Sequence, residues 1–196
     1  MAKTFIEIGT SDFDTLHKLT DNGWTGVFIE PVKHLFDNLK KVDGCHFFNG
    51  AIHTYDGEIT IKYMTNPQEQ WERGIGYVDD FSGNTVISNR FWQEDFKNQS
   101  ESIVPCLTLD SLLKKYNIQE IDFLKIDTEG SEWKIMENFS WSIKPKVLKV
   151  EFVHWESVRS ESGEAINHGK IEEWITKLSE MGYLVYKEDQ DIYAIL

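Results

Sequence analysis

A glycine turn, a carboxylate one strand later and a set of titratable groups at later strand ends are the parts of this sequence that could do chemistry. Glu7-Ile8-Gly9-Thr10-Ser11-Asp12-Phe13 sets a single glycine between an apolar run and a helix-forming stretch. Such a turn lets a ligand approach the backbone, because no side chain blocks it and amide hydrogens at a helix start face outward. A dinucleotide loop would carry three glycines. With one glycine, and with Asp12 and Asp14 at the helix start, a pyrophosphate fits poorly. A cationic or zwitterionic cofactor without phosphate fits better. Glu30 follows about twenty residues on, where a doubly wound sheet places a carboxylate for ribose hydroxyls. The plain alternatives are an ordinary strand-to-helix turn and a solvated strand-end glutamate.

Four further groups stand at strand ends: Asp127, Glu129, Glu151 and His154. Each could move a proton. His154 has the best intrinsic pKa for it, although a lone histidine is more often simply exposed. Glu129 lies near a helix start, where the dipole favours the anion and weakens it as a base. Asp127 with Glu129, or Glu151 with His154, could hold Mg²⁺ or Mn²⁺, but no spacing demands a metal and none is assigned.

The elements that must position these groups follow from hydrophobic spacing. Lys3 to Ile8 is a strand, followed by a helix with apolar positions Phe13, Leu16 and Leu19 that closes near Asn22-Gly23. Thr25 to Ile29 is a second strand. Val32, Leu35, Phe36, Leu39 and Val42 then recur at helical spacing, and Cys45 to Phe48 is a third strand. Strand, helix, strand, helix, strand at this spacing predicts a parallel α/β unit. Strands are expected at Glu58 to Met64, Asn84 to Ser88 and Ile103 to Cys106, with an irregular flap or insertion around 65–100. Thr108 should cap a helix through Tyr116. Asp122 to Ile126 is a strand, Ser131 to Phe139 a helix and Val147 to Phe152 a strand. A polar loop from His154 to Asn167 comes next. The final helix carries Ile171, Trp174, Ile175, Leu178 and Met181, with Gly182 as a left-handed cap. Tyr183 to Lys187 and Ile192 to Leu196 form a hairpin.

Composition bounds the class. A chain of 196 residues with 40% hydrophobic residues makes one domain, spanning 1–196, with a core that needs no disulfide. Cys45 and Cys106 lie in apolar runs and are expected to be buried free thiols. The net charge of -13 disfavours nucleic acid as a partner, because phosphate binding needs a basic stripe. The start carries no secretory pattern, and no apolar run is long enough to span a bilayer. The expectation is a soluble, cytoplasmic protein without a membrane partner.

Read together, Phe5-Ile6-Glu7-Ile8-Gly9, Val27-Phe28-Ile29-Glu30-Pro31, Leu109-Asp110-Ser111-Leu112-Leu113 and Ile121-Asp122-Phe123-Leu124-Lys125-Ile126-Asp127-Thr128-Glu129-Gly130-Ser131-Glu132 occur in order. The set resembles the FkbM-type family of S-adenosylmethionine-dependent methyltransferases. Asn49-Gly50-Ala51-Ile52 with Asp56-Gly57-Glu58 resembles the family's third-strand region. The likeness covers roughly Phe5 to Glu151. It implies a Rossmann-like class I methyltransferase fold: a mostly parallel seven-stranded sheet with a C-terminal antiparallel hairpin and helices on both faces. It also implies methyl transfer, commonly to a hydroxyl of a sugar or another small polar acceptor.

By the resemblance, Gly9, Thr10 and Ser11 lie against the methionine part of the cofactor. Glu30, with Pro31 beside it, holds the ribose, and Asn49 with Ala51 borders the adenine. Asp127 faces the amino group or the methyl. Glu7, Asp127 and Glu129 make an acidic cleft that suits a sulfonium cation. Trp71, Tyr77, Phe81, Trp92 and Trp155 either stack on an acceptor or pin the flap to the core. Arg73 and Arg90 either clamp an anionic acceptor or pair on the surface.

Two rival readings stay open. Phe13 and Ser11 stand where the family carries a further Gly and an Asn, which allows a catalytically degenerate relative that binds a cofactor or a partner. A nucleotide-dependent oxidoreductase on the same sheet is opposed by the single glycine and the acidic helix start.

Overall fold

Short apolar runs bounded by turn residues form the strands at the centre of the molecule. A computed structural model describes residues 2–12, 15–65, 74, 76–78, 85–87, 99–153, 155, 158–160 and 169–196. In chain order its first elements are β1 (Thr4–Ile8), α1 (His17–Thr20), β2 (Thr25–Ile29), α2 (Lys33–Asn38) and β3 (His46–Phe48). Then come β4 (Ala51–Ile52), β5 (Gly57–Met64), β6 (Gly76–Val78), β7 (Thr85–Ile87), β8 (Gln99–Leu107) and α3 (Leu109–Lys115). The remainder comprises β9 (Phe123–Ile126), α4 (Glu132–Asn138), β10 (Val147–Glu151), β11 (Val158–Ser160), α5 (Lys170–Glu180), β12 (Leu184–Glu188) and β13 (Asp191–Ile195).

Seven strands make one mixed sheet in the order β12-β13-β10-β9-β1-β2-β3. β1, β2, β3, β9 and β10 pair in parallel, whereas β13 runs antiparallel to both β10 and β12. This is the mostly parallel seven-stranded α/β sheet with a C-terminal hairpin that the family resemblance implies. The direction of strand succession reverses between β1 and β9, and at such a switch point the loops diverge and leave a crevice.

Alternation along the strands sorts the two faces. Ile6, Leu124, Leu148 and Ala194 are fully or almost fully buried and pack with Leu112 of α3, Ile135 of α4 and Trp174 of α5. The opposite face carries Phe5 and Phe28, covered by Leu16, Leu19, Phe36 and Leu39. Glu7, Lys125 and Lys149 lie in register on that second face, one on each of β1, β9 and β10.

Several local expectations are met. The Thr108 side chain accepts the Ser111 N–H at 3.1 Å and caps α3. Gly182 has φ 99°, with the Gly182 and Tyr183 N–H groups donating to the Ser179 and Leu178 carbonyls. That pair of bonds is the left-handed helix ending for which glycine is suited. Cys106 is buried, Cys45 half-buried, and both are free thiols.

Other parts differ. The first helix is one turn, His17–Thr20, because the Leu16 N–H is drawn to the Glu7 carboxylate. α2 ends at Asn38, since Leu39 is extended, so the helical spacing that ran on to Val42 overstates it. In the middle of the chain, the strands expected at 58–64 and 103–106 join β4 and β6 in a second, four-stranded sheet, β4-β8-β5-β6, while most of the expected flap at 65–100 lies outside the described residues. β5 and β8 pair antiparallel from Gly57–Cys106 to Met64–Gln99, around Ile59, Ile61 and Val104. Periodicity marked β5 as a strand but could not name a partner so far along the chain. The stretch read as a polar loop after His154 contains β11, which pairs with β7.

Candidate functional site

The crevice at the β1/β9 reversal is a cavity of about 340 Å³. That lies within the range of small-molecule sites. Its walls are the ends of β1, β2, β9 and β10 on one side. Ala51, Ile52, Ile61 and Tyr77, from the second sheet, form the other.

Gly9 sets the floor. With φ 79° it lies in the left-handed region, and a β-carbon there would fall 1.6 Å from the carbonyl oxygen of Asp127. The Gly9 and Thr10 N–H groups donate to the Ile29 carbonyl at 3.1 and 3.0 Å. Only glycine lets the loop after β1 cross the end of β9 this closely. Thr10 is buried and its hydroxyl donates to the Glu7 carbonyl. Ser11 also has a positive φ, of 54°, and its N–H donates to Glu30 Oε2 at 2.7 Å.

Glu30 is 3% exposed. Its Oε1 accepts the Val32 N–H at 2.7 Å, so each carboxylate oxygen takes one backbone donor and keeps a lone pair. Burial, reinforced by the charges of Asp12 and Asp127, pushes its pKa up to about 7 against those two hydrogen bonds. Pro31 and Ala51 line the wall beside it. Asn49 does not line the cavity: its amide donates to the Glu30 and Pro31 carbonyls at 2.8 and 3.2 Å. Its place is behind the rim, where it fixes the end of β2.

Glu7 is likewise behind the wall. It is 0% exposed and both its oxygens accept the Leu16 N–H. Lys125, which does line the cavity, lies with its Nζ 3.5 Å from Glu7 Oε1 and 3.6 Å from Asp127 Oδ2.

At the far end, one oxygen each of Asp127, Glu129 and Glu151 lies within 4.8 Å of the others. Burial and the acidic groups around them make Asp127 and Glu151 hold their protons more tightly. Burial raises Asp127 to about 6, with Lys125 opposing and Glu129 and Glu132 adding to the rise. Burial and the neighbouring Asp127, Glu129 and Glu132 raise Glu151 much further, so it is protonated at neutral pH. Among the described residues this trio is the group spaced to share a hard cation through oxygen donors. The outer side of Asp127 and Glu151 faces an open basin bordered by Lys149 and Asp191, which pair at 3.1 Å. His154, Trp71, Arg73, Phe81, Arg90 and Trp92 lie outside the described residues.

Two site residues escaped the sequence reading of roles, Lys125 and Glu132. Glu132, 1% exposed, accepts the Thr128 N–H at 2.7 Å and hydroxyl at 3.0 Å, and the Gly130 N–H at 3.1 Å. Its other oxygen accepts the Trp155 indole N–H at 3.1 Å. It thereby clamps the turn that carries Glu129, whose φ of 60° is held by those bonds. Trp155 is fully buried on this bond and offers no face to a ligand.

A family model for the methyltransferase FkbM domain matches residues 7–185. The crystal structure of a methyltransferase FkbM from Methylobacillus flagellatus KT is similar with a TM-score of 0.54 and 12% identity, over 100% of this chain and 44% of that one. At that identity the likeness is one of fold, and this chain spans less than half of that protein's length. No curated protein matches the chain significantly. With the match running from the glycine loop through the last helix, the chain belongs to the FkbM methyltransferase domain family.

Proposed function

We propose that the chain is an S-adenosylmethionine-dependent methyltransferase that methylates a hydroxyl of a small polar acceptor, with sugars as the leading class. The observation that carries this reading is the meeting of the Gly9 loop, the Glu30 carboxylate and Asp127 around one cavity at the β1/β9 reversal.

The residues present fit such a cofactor. Ser11 Oγ and Glu151 Oε2 are buried and lack hydrogen-bond partners among the described residues, and both residues line the cavity. Buried polar atoms in that state favour a ligand that pairs them. Glu30 keeps two lone pairs for vicinal hydroxyls, and the Pro31–Ala51–Ile52 wall is apolar enough for a flat base. Gly9, Thr10 and Ser11 would flank the amino-acid part. S-adenosylmethionine supplies a methyl group on a positively charged sulfur.

The chain's own residues supply the rest. An acceptor hydroxyl must lose its proton as it is methylated. Asp127, at about 6, is ionised at neutral pH and stands at the cavity end where it can take that proton. Glu151, protonated at neutral pH, can instead donate a hydrogen bond to a ligand bound there. Net negative charge at this end attracts a sulfonium.

Isothermal titration with S-adenosylmethionine, S-adenosylhomocysteine and NAD tests the reading. Micromolar binding of the two adenosyl ligands, lost in Glu30→Ala, is the expected result. Binding of NAD in their place would return the oxidoreductase reading. Cofactor binding with no turnover on a broad hydroxyl acceptor panel would favour the degenerate relative.

A further inference from the structure

The charged pair behind the cavity wall carries one inference beyond the cofactor reading, on which it rests. Glu7 and Lys125 are direct partners in the parallel register of β1 and β9, at the middle of the main sheet. Lys125 is 4% exposed and Glu7 is fully buried. Lys125 lies on a central strand with β1 and β10 on either side, and its side chain is almost wholly buried.

The fold itself does not require such a pair. Charges taken out of water are costly, and replacing a buried ion pair with apolar residues of similar volume is often neutral or stabilising. The flanking Phe5, Ile6, Leu124 and Ile126 show that apolar side chains satisfy this part of the sheet on both faces. What the pair does provide is a fixed donor at the cavity wall. The ammonium reaches forward to Asp127 at 3.6 Å and back to Glu7 at 3.5 Å, and Glu7 in turn holds the Leu16 N–H at about 3 Å. One connected path therefore runs from the chain after the glycine loop to the carboxylate at the cavity end. Lys149, the neighbour of Lys125 on β10, is paired with Asp191.

We propose that Lys125 is a positioning residue: held between Glu7 and Asp127, its ammonium fixes the Asp127 carboxylate at the cavity wall and ties it to the segment that follows the Gly9 loop. Lys125 then affects ligand binding through Asp127 and has little effect once that carboxylate is gone.

The test is a mutant cycle read by isothermal titration with S-adenosylhomocysteine. The variants are Asp127→Asn, Glu7→Gln with Lys125→Met, and the triple combination. Removing both buried charges together avoids stranding one of them. The Glu7→Gln/Lys125→Met protein should fold and bind roughly tenfold more weakly, about the worth of one charged hydrogen bond. The triple variant should bind within about twofold of Asp127→Asn alone, a non-additivity that signals coupling. Additive losses, or unchanged affinity in Glu7→Gln/Lys125→Met, overturn the inference. If that double variant does not fold, Lys125→Arg serves, since it keeps the charge and changes its shape. It should weaken binding beside Asp127 and leave the Asp127→Asn protein unaffected, and equal losses in both backgrounds overturn the inference. Wild-type protein that binds neither S-adenosylhomocysteine nor S-adenosylmethionine overturns the cofactor reading itself, and this inference with it.

Discussion

The Cα of Gly9 faces the backbone carbonyl of Asp127 so closely that a β-carbon would lie 1.6 Å from its oxygen. The Asp127 N–H donates to the Ile8 carbonyl at 3.0 Å on the same crossing. Backbone meets backbone there, so no side-chain movement can relieve the contact. Gly9→Ala should cost roughly 3 kcal/mol or more, from the clash and the positive φ together. Urea unfolding measures it, and loss of adenosyl-ligand binding should accompany it.

Glu30 should make both stability and affinity depend on pH. Its folded pKa of about 7 lies above the ordinary 4.5. Below pH 4.5 the group is protonated in both states and contributes no slope. As the pH rises through 4.5 to about 7 the unfolded chain ionises first, so stability falls by roughly 3 kcal/mol across that window and is level above it. The fall should be absent in Glu30→Gln. Affinity for S-adenosylhomocysteine should move oppositely, rising as pH passes 7, because the ionised carboxylate is the better acceptor for ribose hydroxyls. Titration calorimetry at several pH values, on wild type and Glu30→Gln, checks both slopes.

Glu132 receives four donors, from the Thr128 backbone and hydroxyl, Gly130 and Trp155. Glu132→Gln turns an amide NH₂ toward some of them and should cost roughly 3 kcal/mol. Trp155→Phe removes a single donor while filling most of the same space, and should cost about 1–2 kcal/mol. Chemical denaturation ranks the two, and a reversed order would mean that the indole's packing outweighs its hydrogen bond.

Glu151 is protonated when folded and ionised when unfolded above its ordinary 4.5. Stability is therefore lost as pH rises above 4.5, and a neutral isostere should be free of that loss. Glu151→Gln should match wild type within about 0.5 kcal/mol near pH 4 and be the more stable protein near pH 8. Thermal melts at the two pH values decide it.

The parallel half of the fold was legible because each of its strands is a short apolar run separated from the next by helical spacing, as in Thr25–Ile29. The second sheet was not, because the partners Ile59 and Val104 are joined only by long-range pairing that no local pattern encodes. In the site, Gly9, Glu30 and Asp127 stood out through residue type at a strand end. Asn49 and Glu7 were legible as polar groups near the turn, but not as groups turned toward backbone donors and acceptors behind the wall. Lys125 had a signal that went unread. Phe5-Ile6-Glu7-Ile8 and Phe123-Leu124-Lys125-Ile126 carry opposite charges at the same place in the same apolar frame, which is the pattern of two strands lying side by side.

The central position of β1 also bears on how the molecule comes into being. Thr4–Ile8 precedes its neighbour Phe123–Ile126 by a long stretch of chain, and the Glu7–Lys125 contact closes across that same separation of 118 residues. During synthesis β1 and β2 can pair early, but the other edge of β1 must wait until β9 has been made. Contacts of such sequence separation fold slowly and leave an apolar strand edge open to wrong partners. The buried glutamate on that waiting edge is a charge that an incorrect apolar partner could not satisfy, so the same residue that anchors the cavity wall would discourage misassembly before β9 arrives.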